Sequence, residues 1–259
     1  AREKAQAADV ESAQSTYEGA LQLWNTLGLS QNCADESCKE LKTRLKNTLV
    51  EWNKAEKKSP TEALVKCYQA YLTAFPEDTS MRLYLAQVAR ERKDYPLAYQ
   101  TYLAVGQNSA AGADTQEAAL VSAIETAELS KDSTLLMQSY DSYLKSSATK
   151  TRDAEVRYQK AKWQYDHGEL RPAAEALRAY ALDAKGVKAE LREQAANLSL
   201  DALAQLKDDG LIQVWALEFA AAFPKTAEDK KSVGRKALLN RVAGLSEQKK
   251  YGEAWVLIE

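Results

Sequence analysis

The stretch Leu83–Val105, LYLAQVARERKDYPLAYQTYLAV, constrains the fold more than any other part of the chain. It reads as two helices joined by the tight turn Arg92-Lys93-Asp94. Before the turn, Leu85, Ala86 and Ala89 share one face. After it, Tyr95, Ala98, Tyr102 and Val105 recur at three- and four-residue spacing, the period of an amphipathic helix. Ala98 is small where two antiparallel helices must approach closely, and Tyr102 is large where it can cover the next pair. Self-similarity at a fixed step of about 39 residues marks a helical repeat array, whose units pack mainly on their neighbours.

Further copies run the length of the 259 residues. A second spans Ala154–Ala181, with Ala161, a turn at His167-Gly168, then Leu170, Ala173, Leu177 and Tyr180. A third starts at Arg235, with Leu238, Val242 and Leu245, a turn near Lys249, then Tyr251, Ala254 and Ile258. Partial copies carry Tyr17, Ala20 and Trp24; Ala63, Cys67 and Ala70; Leu135; and Trp215 and Phe219. Ala20, Ala63, Ala98, Leu135, Ala173, Val214 and Ala254 are the expected anchors. Phe75-Pro76 and Phe223-Pro224 each end a helix, since proline just past a helix end stops it and a following Asp or Thr can cap the next. With only five prolines and ten glycines, and no alternating strand-length run, the chain is expected to be all-α, with about thirteen helices in antiparallel pairs.

The paired residues Leu85-Ala86, Ala89, Tyr95, Ala98 and Tyr102 resemble the tetratricopeptide repeat family. So do Ala161, Gly168, Leu170 and Ala173, and Leu245, Tyr251 and Ala254. The step exceeds the family's usual 34 residues, and most units lack its first-helix glycine. The resemblance implies a single array over residues 1–259, a right-handed α-α superhelix of irregular antiparallel pairs. It also implies that first helices line a concave groove on the face opposite the Ala anchor. That face carries Leu83, Gln87 and Arg90 in the best copy, with Arg90 expected to be exposed. In the second copy it carries Tyr158, Lys162 and Tyr165. A generic all-α bundle is the alternative.

Little in the sequence points to catalysis. The single histidine, His167, sits in a turn with no Ser or Cys motif around it, and no phosphate-binding loop or metal-ligand pattern is present. No cofactor and no metal site are expected. Carboxylates pair with lysines at helical spacing and read as solvated faces. A net charge of −2 with interspersed signs gives no drive toward nucleic acid. The longest apolar stretch, Val214–Phe223, is interrupted by Glu218 and falls far short of the roughly 20 residues that span a bilayer. Cys33 and Cys38 bracket the polar segment Asn32–Ser37, and four intervening residues allow a bridge if the segment turns. Bridged, they imply an oxidising compartment; as free thiols, a cytosolic one. Cys67 lies on the apolar face with Ala63 and Ala70 and reads as a buried small hydrophobe.

The chain opens charged at Ala1, without a secretory signal, so export would require a signal removed beforehand. An apolar pattern reaching Trp255–Glu259 without a polar cap suggests a piece of a longer protein. The expected function is that of a non-enzymatic adaptor that binds protein or peptide segments in its groove. The resemblance extends to bacterial periplasmic repeat proteins that assemble secretion, pilus, motility or outer-membrane machines, so envelope-complex subunits are the implied partners. Two rival readings are the accessory region of a cell-wall lytic enzyme and a cytosolic adaptor.

Overall fold

A computed structural model describes residues 2–29, 33, 35–56, 59–146, 151–183 and 185–258, the first seven of these by backbone alone. Asn32 and Ala34 of the cysteine-flanked segment, Ala1 and Glu259 lie outside the described residues. Among those described there are thirteen α-helices and no strand, so the chain is all-α as its periodicity requires.

The chain divides into two compact units, Ala1–Lys150 and Thr151–Glu259. The first holds α1 (Arg2–Thr26), α2 (Glu36–Ala55), α3 (Glu62–Ala74), α4 (Thr79–Glu91), α5 (Tyr95–Gly106), α6 (Ala113–Ser130) and α7 (Ser133–Lys145). The second holds α8 (Asp153–Asp166), α9 (Leu170–Asp183), α10 (Ala189–Gln205), α11 (Asp209–Ala222), α12 (Ala227–Glu247) and α13 (Tyr251–Val256).

Helix starts are written in short polar residues. Asp35, Thr61, Asp78, Asp94, Asp132 and Asp208 each precede a helix and accept the backbone N–H three residues on. Each thus satisfies one of the donors that a helix start leaves orphaned. The turns inside successive pairs share one left-handed residue: Lys93, Lys131, Gly168, Lys207 and Lys249. In four of these turns the next N–H reaches back to close the helix: Asp94 to Ala89 O, Glu169 to Gln164 O, Asp208 to Leu203 O and Lys250 to Leu245 O. That backward bond is the Schellman closure, which occupies carbonyls the helix end would otherwise leave bare.

The seven expected anchors fall on α1, α3, α5, α7, α9, α11 and α13, the second helix of each pair. Ala63, Ala98, Ala173 and Ala254 are buried, but Ala20 and Leu135 only partly so. Val214 is a correction: it is exposed, and its neighbours Ile212 and Trp215 enter the core instead. The third copy is also corrected in part. Ala254 is buried, whereas Tyr251 and Ile258 are exposed.

In the first unit, packing runs from α3 through α7 in order, with α1 set against α3. One core gathers Trp24, Leu49, Tyr68, Tyr71, Phe75 and Met81, and a second gathers Ala86, Tyr99, Tyr102, Ala123 and Ala127. Gly106 on α5 faces Leu120 on α6 so closely that an added Cβ would sit 2.5 Å from Leu120 Cγ. In the second unit each helix packs on the next, and α8 also meets α10 while α9 meets α11. One core runs through it, centred on Leu177, Leu203, Trp215 and Phe219. Neighbours at one and two steps are the contacts of a stacked helix-pair array.

The disulfide Cys33–Cys38 is present, with Cα atoms 5.3 Å apart, and it packs against the first unit's core. Cys67 is fully buried, and burial pushes its thiol up to about 12, so it is inert as a nucleophile at neutral pH.

Candidate partner-binding cleft

Two kinds of contact line up the pairs of the second unit. On the second helices, Arg178 of α9 forms a fork with Glu218 of α11 at 2.7 and 2.8 Å and lies over the Trp215 ring. Arg171 at the start of α9 binds Asp208, the cap of α11, at 2.6 Å. The Leu211 N–H and Arg171 hold the Asp208 carboxyl below the usual range. On the first helices, Tyr165 of α8 donates its hydroxyl to Asp201 of α10, and Gln205 donates to both. The Asp201 carboxylate holds the Tyr165 hydroxyl protonated.

Between α10 and α12 the contacts sit at one end only. The Thr226 hydroxyl donates to Glu193 at 2.5 Å. Lys230 Nζ donates to Asn197 Oδ1 and lies 3.6 Å from Glu193. Lys230 is only 4% exposed, so its charge is neutralised by Glu193 below the surface. Glu193–Thr226 and Asn197–Lys230 have the same sequence offset, so α10 and α12 run parallel and in register. Among the described residues, no hydrogen bond or ion pair joins them past Lys230. From these contacts onward the helices border an open cleft of about 430 Å³, lined by Glu193, Asn197, Leu200, Asp201 and Ala204 on one side and Asp229, Lys230 and Val233 on the other, with Ile212 of α11 below. The cleft therefore lies on the first-helix face of the array.

The six residues expected to bind a partner divide between the units. Leu83 packs against the Tyr99 and Tyr102 core, and Gln87 is exposed and donates to Glu91. Arg90 is a correction: its side chain is 31% exposed. It pairs with Glu125 of α6 at 3.4 Å and its guanidinium lies over the Tyr102 ring, so it ties two first helices together. In the second unit Tyr158 turns inward onto Tyr180, with ring centroids 5.3 Å apart. Lys162 is exposed and paired with Asp166 at 2.6 Å. Tyr165 alone of the three reaches the cleft, through Asp201. His167 stacks on Trp163 with ring centroids 3.8 Å apart and is exposed, a surface arrangement.

Sequence reading overlooked the cleft's own residues, Glu193, Asn197, Asp201, Asp229 and Lys230. One signal for them was available. Glu193, Asn197, Asp201 and Gln205 recur every four residues along an otherwise Ala- and Leu-rich helix, which is one face.

Among the described residues, no group of His, Cys, Asp and Glu is arranged to hold a metal ion, and no helix is long and apolar enough to cross a membrane. Comparison with protein-family models, with curated proteins and with solved structures finds no match to this chain.

Proposed function

We propose that the chain is a non-enzymatic protein-binding scaffold of a bacterial cell envelope, a tetratricopeptide-like array of the right-handed superhelical type. On this reading it holds segments of partner proteins against its first helices. The observation that carries it is the cleft between α10 and α12. Two parallel first helices are pinned at one end and open at the other, over an apolar floor, and present polar side chains that can fix a bound segment. Concave first-helix faces are the surfaces that stacked helix pairs offer to partners. The Cys33–Cys38 bridge supports an oxidising compartment, hence the periplasm over the cytosol.

The test is photocrosslinking in the source cells. A photoreactive residue is placed at Gln87, Lys162 or Val233 on first helices, and at Val214 or Leu217 on the exposed side of α11. Protein adducts concentrated at the first three positions are expected. Adducts only at Val214 and Leu217, or turnover of a cell-wall substrate by the purified chain, overturn the reading.

A further inference from the structure

We infer that the α10–α12 cleft takes a basic protein segment, with a lysine or arginine side chain lying along it. This inference rests on the scaffold reading above and adds the chemistry of the partner.

The charge balance of the cleft is uneven. Its lining carries three carboxylates, Glu193, Asp201 and Asp229, and one ammonium, Lys230. Lys230 and the Thr226 hydroxyl already serve Glu193. Asp201 accepts only from neutral donors, the Tyr165 hydroxyl and the Gln205 amide. Asp229 is exposed and makes no hydrogen bond or ion pair among the described residues. Asp201, past the pinned turns, and Asp229, beside Lys230, therefore line the cleft without an ion-pair partner. Among the described residues neither Asp201 nor Asp229 makes an ion pair, while Lys162 is paired with Asp166 and Lys231 and Arg235 face Glu228.

The apolar lining matches the rest of such a side chain. Leu200, Ala204, Ile212 and Val233 lie beside the two carboxylates. Lysine and arginine bury their methylene stems on apolar surface while the charged head stays at a polar rim. A stem along Leu200 and Val233 lies in the cleft that Asp201 and Asp229 both line. The exposed Asn197 amide can donate to a backbone carbonyl of the same segment, which fixes an extended chain in register. An acidic segment would face two unpaired carboxylates, which is a penalty rather than a weaker attraction.

The experiment uses the full chain and two labelled probe peptides, one alternating leucine with lysine and one alternating leucine with glutamate. Fluorescence anisotropy is followed at low and at physiological salt. The lysine peptide is expected to bind, more weakly at higher salt, and the glutamate peptide to show no binding. Asp201→Asn with Asp229→Asn keeps side-chain shape and should weaken the lysine peptide about tenfold or more. Asp229→Lys alone, at an exposed position, should do the same. Circular dichroism melts of these variants confirm that they fold. Equal binding of both peptides, or full affinity in the Asn variant, overturns the basic-segment inference. That result leaves the scaffold reading standing if first-helix crosslinks persist; loss of those crosslinks removes the scaffold reading separately.

Discussion

Replacing Asp78 by alanine is expected to be among the most damaging single changes in the first unit. Its carboxylate is the cap of α4, accepting the Met81 N–H at 3.1 Å. It also accepts from the Ser80 hydroxyl at 2.7 Å, the Tyr71 hydroxyl at 3.0 Å and Lys46 Nζ at 3.0 Å. Loss of a cap costs about 1 kcal/mol. Tyr71 is fully buried, so its hydroxyl, left without an acceptor, adds roughly 1–3 kcal/mol. The half-exposed Lys46 pair adds at most about 1 kcal/mol. The sum is about 2–5 kcal/mol, and at roughly 2–4 °C per kcal/mol for a unit of this size the melting point falls by about 4–20 °C. Thermal melts of Asp78→Ala, Tyr71→Phe and the double variant decide the matter. Tyr71→Phe should cost measurably in the natural background and almost nothing, or a gain, beside Asp78→Ala, because the hydroxyl is then already stranded. Burial raises the Asp78 carboxyl, but the bonds from Ser80, Lys46, Met81 and Tyr71 outweigh it and hold it below its ordinary value. A carboxyl lowered on folding stabilises fully above its unfolded value, near pH 4, and loses that contribution as pH falls through its lowered folded value. The melting-point gap between the natural chain and Asp78→Asn should therefore close in acid. A drop under about 2 °C for Asp78→Ala, or additive costs in the double variant, would refute the shared-acceptor account.

Two further pairs of substitutions test the packing. Gly106→Ala should destabilise by about 1–3 kcal/mol, because its Cβ would meet the buried Leu120 side chain, whereas Gly244→Ala in the open interior of α12 should stabilise by about 0.4–1 kcal/mol; chemical denaturation that ranks them the other way rejects the α5–α6 contact. Ala98→Trp should cost about 1–3 kcal/mol or more, since Ala98 is fully buried. Arg90→Ala should fall between it and a near-neutral Gln87→Ala, at about 0.5–1.5 kcal/mol for its ion pair and its place over Tyr102; equal melts for Arg90→Ala and Gln87→Ala would show that Arg90 ties nothing.

Much of the fold is legible from apolar period alone, because Leu85, Ala86, Ala89, Ala98 and Tyr102 mark faces that only helices can present. The turns were harder. His167-Gly168 announces itself through glycine, but Lys131 and Lys207 adopt the same left-handed conformation with an ordinary side chain that carries no signature. What marks them is the next residue, Asp132 or Asp208, which caps the following helix. The cleft was less legible still. A polar stripe such as Glu193–Asn197–Asp201 looks the same whether it meets bulk water or a neighbouring helix, and only the placement of α12 decides. Tyr158 and Tyr165 share a stripe on α8 for the same reason that they part company. One end of that stripe meets α9 and the other meets α10.

The caps explain how such an array holds its step without a strict repeat sequence. Asp78 starts α4 and also receives Lys46 from the preceding first helix. Asp208 starts α11 and also receives Arg171 from the start of α9. Arg92, in the turn between α4 and α5, donates to Pro60 O at 2.5 Å and pairs with Glu62 at 2.8 Å, at the start of α3. Each residue that ends or begins a helix therefore also fixes the distance to the neighbouring pair. Local and inter-pair order are set by the same atoms, so a lost cap loosens the stacking as well as the helix start. The α10–α12 interface departs from this. Thr226 and Lys230 tie its first turns to Glu193 and Asn197, and no tie follows. The α10–α12 step is therefore tied at its first turns alone, and the cleft beside those ties is bordered by Asp201 and Asp229, neither of which makes an ion pair among the described residues.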